Sequence, residues 1–100
     1  MADIKRLLQL GRLQIVGSIL KKDTPRDLDI VLFIPNKIFN KIYLNVEEWK
    51  NRLNSGDWND GCYIWSNDSV RLTYLMEKRL QSKLLMDCKI EPMSYFNKKD

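Results

Sequence analysis

The sequence predicts an α/β (α+β) fold, a small mixed β-sheet flanked by helices, on three observations. Leu28-Asp29-Ile30-Val31-Leu32-Phe33-Ile34 is rich in β-branched and aromatic residues and is closed by Pro35-Asn36, so it reads as a strand. After it the apolar period changes: Ile38, Ile42, Val46, Trp49 and Leu53 recur every three or four residues, as on one face of a helix. The strand signal returns at Leu85-Met86-Asp87-Cys88-Lys89-Ile90, stopped by Pro92. Strands separated by helices bury their apolar sides by layering helix on sheet. The chain has 100 residues, enough for one domain, so residues 1–100 are expected to form a single unit.

The remaining elements follow in order. Ile4, Leu7 and Leu8 are spaced like one face of a short helix, which Gly11 stops. Leu13-Gln14-Ile15-Val16 reads as a short strand ending at Gly17-Ser18. Residues 19–26 read as a turn or a single helical turn. Asn45, with Glu48 three residues on, has the pattern of a helix cap, so 37–53 is one helix or a turn followed by a helix. Asn54-Ser55-Gly56-Asp57 breaks it. Residues 57–68 read as an acidic connection bearing tryptophans. Ser66 or Asn67 then caps a further helix, with Leu72, Leu75, Met76, Leu80 and Leu84 along one side. The tail from Asn97 is expected to fray.

Composition narrows the chemistry. Hydrophobic residues make up 44% and charged residues 30%, which is ordinary for a packed globule and too apolar for a disordered chain. No apolar run approaches the roughly 20 residues that span a bilayer. The N-terminal Met1-Ala2-Asp3-Ile4-Lys5-Arg6 does not resemble a signal peptide, so a cytoplasmic protein without membrane association is expected. There is no histidine, which removes His-based triads, His general bases and most zinc and iron sites. Cys62 and Cys88 are too few for a disulfide framework and are expected as reduced thiols. Catalysis, if present, falls to carboxylates, lysines, hydroxyls or metals held by oxygen. The net charge of +4 suits a nucleotide or RNA without requiring one.

One constellation carries chemistry. A strand ends in Val16-Gly17-Ser18, and eight residues later Asp27-Leu28-Asp29-Ile30 opens the next strand. Strand side chains alternate, so Asp27 and Asp29 project from one face while Leu28 and Ile30 enter the core. Paired carboxylates at a sheet end offer hard oxygen ligands to Mg²⁺ or Mn²⁺. A Gly-Ser turn exposes backbone N–H groups and a hydroxyl, a common way to hold phosphate.

This pattern resembles the nucleotidyltransferase superfamily that includes DNA polymerase beta, kanamycin nucleotidyltransferase and the minimal nucleotidyltransferases. The likeness covers about residues 4–34, with Lys21 standing where many bacterial members carry Arg. Beyond that it rests on element order. It implies a third carboxylate on a later strand, for which Asp87 is the choice and Glu91 the competitor. It further implies that Asp27, Asp29 and Asp87 hold Mg²⁺ or Mn²⁺, that Gly17 and Ser18 bind the β- and γ-phosphates of a nucleoside triphosphate, expected to be ATP, and that Lys21 or Lys22 offsets their charge. The acceptor would be a protein hydroxyl, an RNA 3′ end or a small molecule. With no second domain to hold it, a homodimer or a protein partner is expected to supply the acceptor site; small members are often encoded beside a helical HEPN-type protein and can act as antitoxins by adenylylating it, so the resemblance also implies an antitoxin-like role of that kind. The alternative is an inactive module of the same fold that binds nucleotide or a protein. A basic RNA-binding protein of unrelated fold is a third reading.

Two further groups have two readings each. Trp58, Tyr63 and Trp65 either stack on a base or anchor a partner, or they pack their connection onto the core. The Leu and Met stripe over 72–84 is core or an interface.

Overall fold

The computed structural model describes residues 3–16, 27–81 and 85–98, with Asp27, Asn97 and Lys98 described as backbone only. Among them are four α-helices and three strands, in the order α1 (Ile4–Leu10), β1 (Arg12–Val16), β2 (Asp27–Ile34), α2 (Asn36–Ile42), α3 (Val46–Ser55), α4 (Asp60–Leu80) and β3 (Leu85–Pro92), followed by a 3-10 segment over Met93–Lys98. The α+β class and the mixed sheet expected from the sequence are present. The sheet runs β1-β2-β3, with β1 antiparallel and β3 parallel to β2.

Local chemistry sets the element ends. Asp3 accepts from the Lys5 and Arg6 N–H groups and caps α1. Gly11 ends that helix, and a Cβ there would stand 2.5 Å from the Phe33 carbonyl oxygen, so only glycine lets the chain pass so close to β2. Asn45 accepts from the N–H groups of Glu47 and Glu48 and starts α3, as its spacing predicts. Gly56 closes α3 at a φ of 80°, in the left-handed region that glycine enters without cost.

The structure corrects the expectation over 57–68. That stretch is not a connection capped at Ser66 or Asn67. Asn59 caps α4 by accepting from the Cys62 N–H at 3.1 Å, and the helix runs unbroken to Leu80. Its buried stripe is Cys62, Trp65, Asp68, Ser69, Leu72 and Met76, a helical period whose polar members disguise it. The ambiguity over 37–53 resolves into two helices, with Tyr43 between them. Asn97 and Lys98 close the 3-10 segment instead of fraying, and Lys99 and Asp100 lie outside the described residues; the segment seats Phe96 edge-on against Phe33 at 5.2 Å, with the Arg12 guanidinium 5.0 Å from the Phe96 ring.

The core lies on one side of the sheet. Leu28, Ile30, Leu32 and Ile34 of β2 and Met86, Cys88 and Ile90 of β3 pack with Ile4, Leu7, Phe39, Trp49, Trp65 and Leu72 from the helices. Leu13 and Ile15 continue that side onto β1 but are each 46% exposed, so the helices cover β1 less fully. The outer edge of β3 is occupied by α4. Thr73 Oγ1 accepts from the Cys88 N–H at 3.0 Å, Ser69 Oγ accepts from the Ile90 N–H at 3.3 Å, and the Trp65 indole N–H donates to the Ile90 carbonyl. Side chains one helical turn apart thus satisfy backbone groups that would otherwise invite another strand.

Candidate functional site

The opposite side of the sheet carries the charged residues. In β2, Asp29, Val31 and Phe33 alternate with the core residues, and in β3, Asp87, Lys89 and Glu91 do so. The parallel register sets Asp29 directly beside Asp87, Val31 beside Lys89 and Phe33 beside Glu91. On the antiparallel side Val16 stands next to Asp29. A cleft of about 220 Å³ opens here, with Asp29, Asp87, Lys89 and Glu91 in its walls and Val16 and Val31 as its apolar lining.

Asp29 is half-buried and Asp87 exposed, so solvent reaches both carboxylates. Adjacent strands lie about 4.8 Å apart. At about 5 Å two unit negative charges repel by about 1 kcal/mol in water and about 3 kcal/mol at a protein surface. A cation between them relieves that repulsion, and carboxylate oxygens are the ligands a hard divalent ion prefers. Mg²⁺ is held by one or two carboxylates with the rest of its shell from water and phosphate, so this pair fits such an ion.

The residues expected at the site fall into three groups. Asp29 and Asp87 are brought together. Asp27 shares their strand parity and stands opposite Leu85, and its side chain lies outside what is described. Gly17, Ser18, Lys21 and Lys22 lie outside the described residues. Among the described residues no group of three acidic or thiol side chains is close enough to hold a metal. Glu91, the competing third carboxylate, is buried beside Phe33, four residues along β3 from Asp87, which at about 3.3 Å per residue is about 13 Å away.

Lys89 was not singled out by sequence reasoning. It is exposed, lies two residues from Asp87 on the same strand, and forms no ion pair among the described residues. The signal was available: alternation in β3 puts any residue two away from Asp87 on its face.

Trp65 and Trp58 also resolve. Trp65 is buried, spends its indole N–H on the Ile90 carbonyl, and meets Trp49 edge-on at 5.4 Å, so it belongs to the core. Trp58 is half-buried and meets Tyr63 and Trp65 edge-on at 5.4 and 6.1 Å. Cys62 and Cys88 are buried free thiols, and burial pushes the Cys88 thiol up to about 11. A further carboxylate, Asp68, is fully buried on α4, where it accepts from the Tyr43 hydroxyl at 2.8 Å and from Arg71 at 3.1 Å. Burial first, and then this bond, raise the Tyr43 hydroxyl well above its ordinary value. Its partners are internal, so it joins α4 to the end of α2 rather than facing a substrate.

Comparison of the chain with family models, with curated proteins and with solved structures gave no match. No helix among the described residues is long and apolar enough to cross a membrane.

Proposed function

We propose that this chain is a Mg²⁺- or Mn²⁺-dependent nucleotidyltransferase, moving a nucleoside monophosphate from a nucleoside triphosphate, ATP first, to a hydroxyl of a protein, RNA or small-molecule acceptor, with the α–β phosphoanhydride bond broken and pyrophosphate released. The observation that carries the reading is the pairing of Asp29 with Asp87 across parallel strands beside an open cleft, on the side of the sheet away from the helical core. The motif Val16-Gly17-Ser18 with Asp27-Leu28-Asp29-Ile30 supports it from the sequence.

Asp27, Asp29 and Asp87 are the metal-binding and catalytic carboxylates in this reading. The bound ion offsets triphosphate charge and acidifies the acceptor hydroxyl. Asp87 orients the acceptor hydroxyl and takes its proton. Gly17 and Ser18 hold the β- and γ-phosphates, and Lys21 and Lys22 supply positive charge to them. Lys89 adds a cation on the same face as the carboxylates. The acceptor is presented by a protein partner or a second copy.

The test is incubation of purified protein with each α-labelled nucleoside triphosphate and Mg²⁺, with and without a lysate of the source cells. Label transferred by wild type but not by the Asp27→Ala, Asp29→Ala double variant upholds the reading and names the nucleotide. Nucleotide binding without transfer under every condition would replace it with the inactive module. Losing one carboxylate removes several kcal/mol of transition-state charge stabilisation, so Asp29→Ala should slow transfer about 10³-fold.

A further inference from the structure

α4 carries apolar side chains on two opposite sides. At about 100° per residue, Cys62, Trp65, Leu72 and Met76 fall on the side that joins the core. Tyr63, Val70 and Tyr74, spaced by seven and by four, fall on one line along the other side. They are 58%, 47% and 66% exposed, Tyr63 even with its ring against Trp58. A surface helix ordinarily turns charged and polar residues outward. Near the C-terminal end of that line lies a shallow hollow of about 690 Å³, lined by Tyr74, Leu75, Glu77 and Lys78.

The charges at the two ends of the helix choose the occupant. The first turn of α4 is acidic, with Asp60, and the last turn is basic, with Lys78 and Arg79. A second α4 laid antiparallel sets each acidic end beside a basic end, whereas a parallel one sets like charges together. The antiparallel arrangement also opposes the two helix dipoles. Val70 is the midpoint of Asp60–Leu80, so a twofold axis there overlaps the helices over their whole length, about 31 Å. The same axis brings the partner's Tyr63 to the level of Glu77, beside the hollow, and the partner's Asp60 to the level of Arg79 and Leu80. Arg71, which flanks Val70, is held by Asp68. The surface is thus complementary to itself, which a contact between identical chains requires and a contact with another protein does not.

We propose that two copies of this chain associate through α4 as an antiparallel, twofold pair with Val70 at the axis. The proposal does not depend on the nucleotidyl-transfer reading. The contact is one helix wide, at the small end of specific interfaces, so the dimer should dissociate at roughly 10–100 μM.

Sedimentation equilibrium of the purified chain from about 1 to about 500 μM tests this, and the mean mass should rise from one chain toward two. Val70→Glu brings two carboxylates together at the axis and should raise the dissociation constant at least about tenfold, while Val70→Leu keeps the dimer. Glu suits an exposed helix position better than Val, so the fold should survive, and circular dichroism checks that. Mild oxidation reads the orientation, because the native Cys62 and Cys88 are buried. Val70→Cys should form a disulfide-linked dimer. Glu77→Cys should not, since antiparallel overlap holds its two copies about 21 Å apart along the helices. A chain that stays monomeric at every concentration would overturn the proposal. So would a dimer indifferent to Val70→Glu, or Glu77→Cys linking as readily as Val70→Cys.

Discussion

The two sides of one three-stranded sheet are built on opposite terms. Under the helices, Leu32, Ile34 and Ile90 lose all contact with water in a cluster of mostly apolar side chains. On the other side, two carboxylates stand abreast in an open cleft with a lysine one step along. The first side stabilises the fold through burial. The second buries Val31 and Phe33 as well, but stores like-charge repulsion where Asp29 meets Asp87. A sheet whose second side is covered only in part therefore sets core side chains and solvent-facing charges on alternate residues of one strand, as Cys88 stands between Asp87 and Lys89.

Substitutions should break that separation unequally. The largest effect belongs to Leu32→Ala, which leaves a cavity under the helices and should cost about 3 kcal/mol in urea unfolding. Asp68→Ala comes next. It leaves the half-buried Tyr43 hydroxyl without its acceptor, and a loss of about 2 kcal/mol is expected in the same measurement. Thr73→Val takes the acceptor from the Cys88 N–H at the β3 edge and should cost about 1 kcal/mol, with faster exchange of that amide. On the cleft side, Asp29→Asn and Asp87→Asn should each leave metal-free stability within about 0.5 kcal/mol of wild type or raise it, by relieving repulsion. Yet each should abolish Mg²⁺-dependent thermal stabilisation by nucleotide. A drop of several kcal/mol from either would show that this face is structural.

Alkaline pH sharpens the comparison from the covered side. The Cys88 thiol is raised from 9.0 to about 11, mainly by burial, so between these values the folded chain holds a proton that the unfolded chain has released. Stability is then fully present below pH 9 and falls as pH rises toward 11. The slope should lessen in Cys88→Val, measured by thermal unfolding across that range. Tyr43 is shifted in the same direction, so some slope should remain.

The sequence revealed the cleft side better than its surroundings. Asp27-Leu28-Asp29-Ile30 marks both strand and alternation only together with the apolar, β-branched run that follows it, since two acids near a turn are by themselves ordinary solvated surface. The start of α4 was hidden, because Asp68 and Ser69 sit within its buried stripe and break the apolar period. What makes them tolerable there, Tyr43 and the β3 backbone, comes from distant parts of the chain. The partnership of Asp29 with Asp87 was a choice between two acids, since both Asp87 and Glu91 share the strand parity that alternation demands and the register between strands so far apart in the chain leaves no local mark. Lys89 was passed over because its meaning depends on that register.

The parallel pairing also fixes when the carboxylates can meet. β1 and β2 are near neighbours along the chain, whereas β3 joins β2 only after three helices have intervened. Contacts so far apart in sequence close late, after the entropy of a long loop has been overcome. Because α4 grips the β3 edge through Trp65, Ser69 and Thr73, strand and helix must arrive together. A growing or truncated chain that ends before Leu85 carries the acidic motif but has no second carboxylate to set beside it. The Asp29–Asp87 pair thus comes into being only once β3 has joined the sheet.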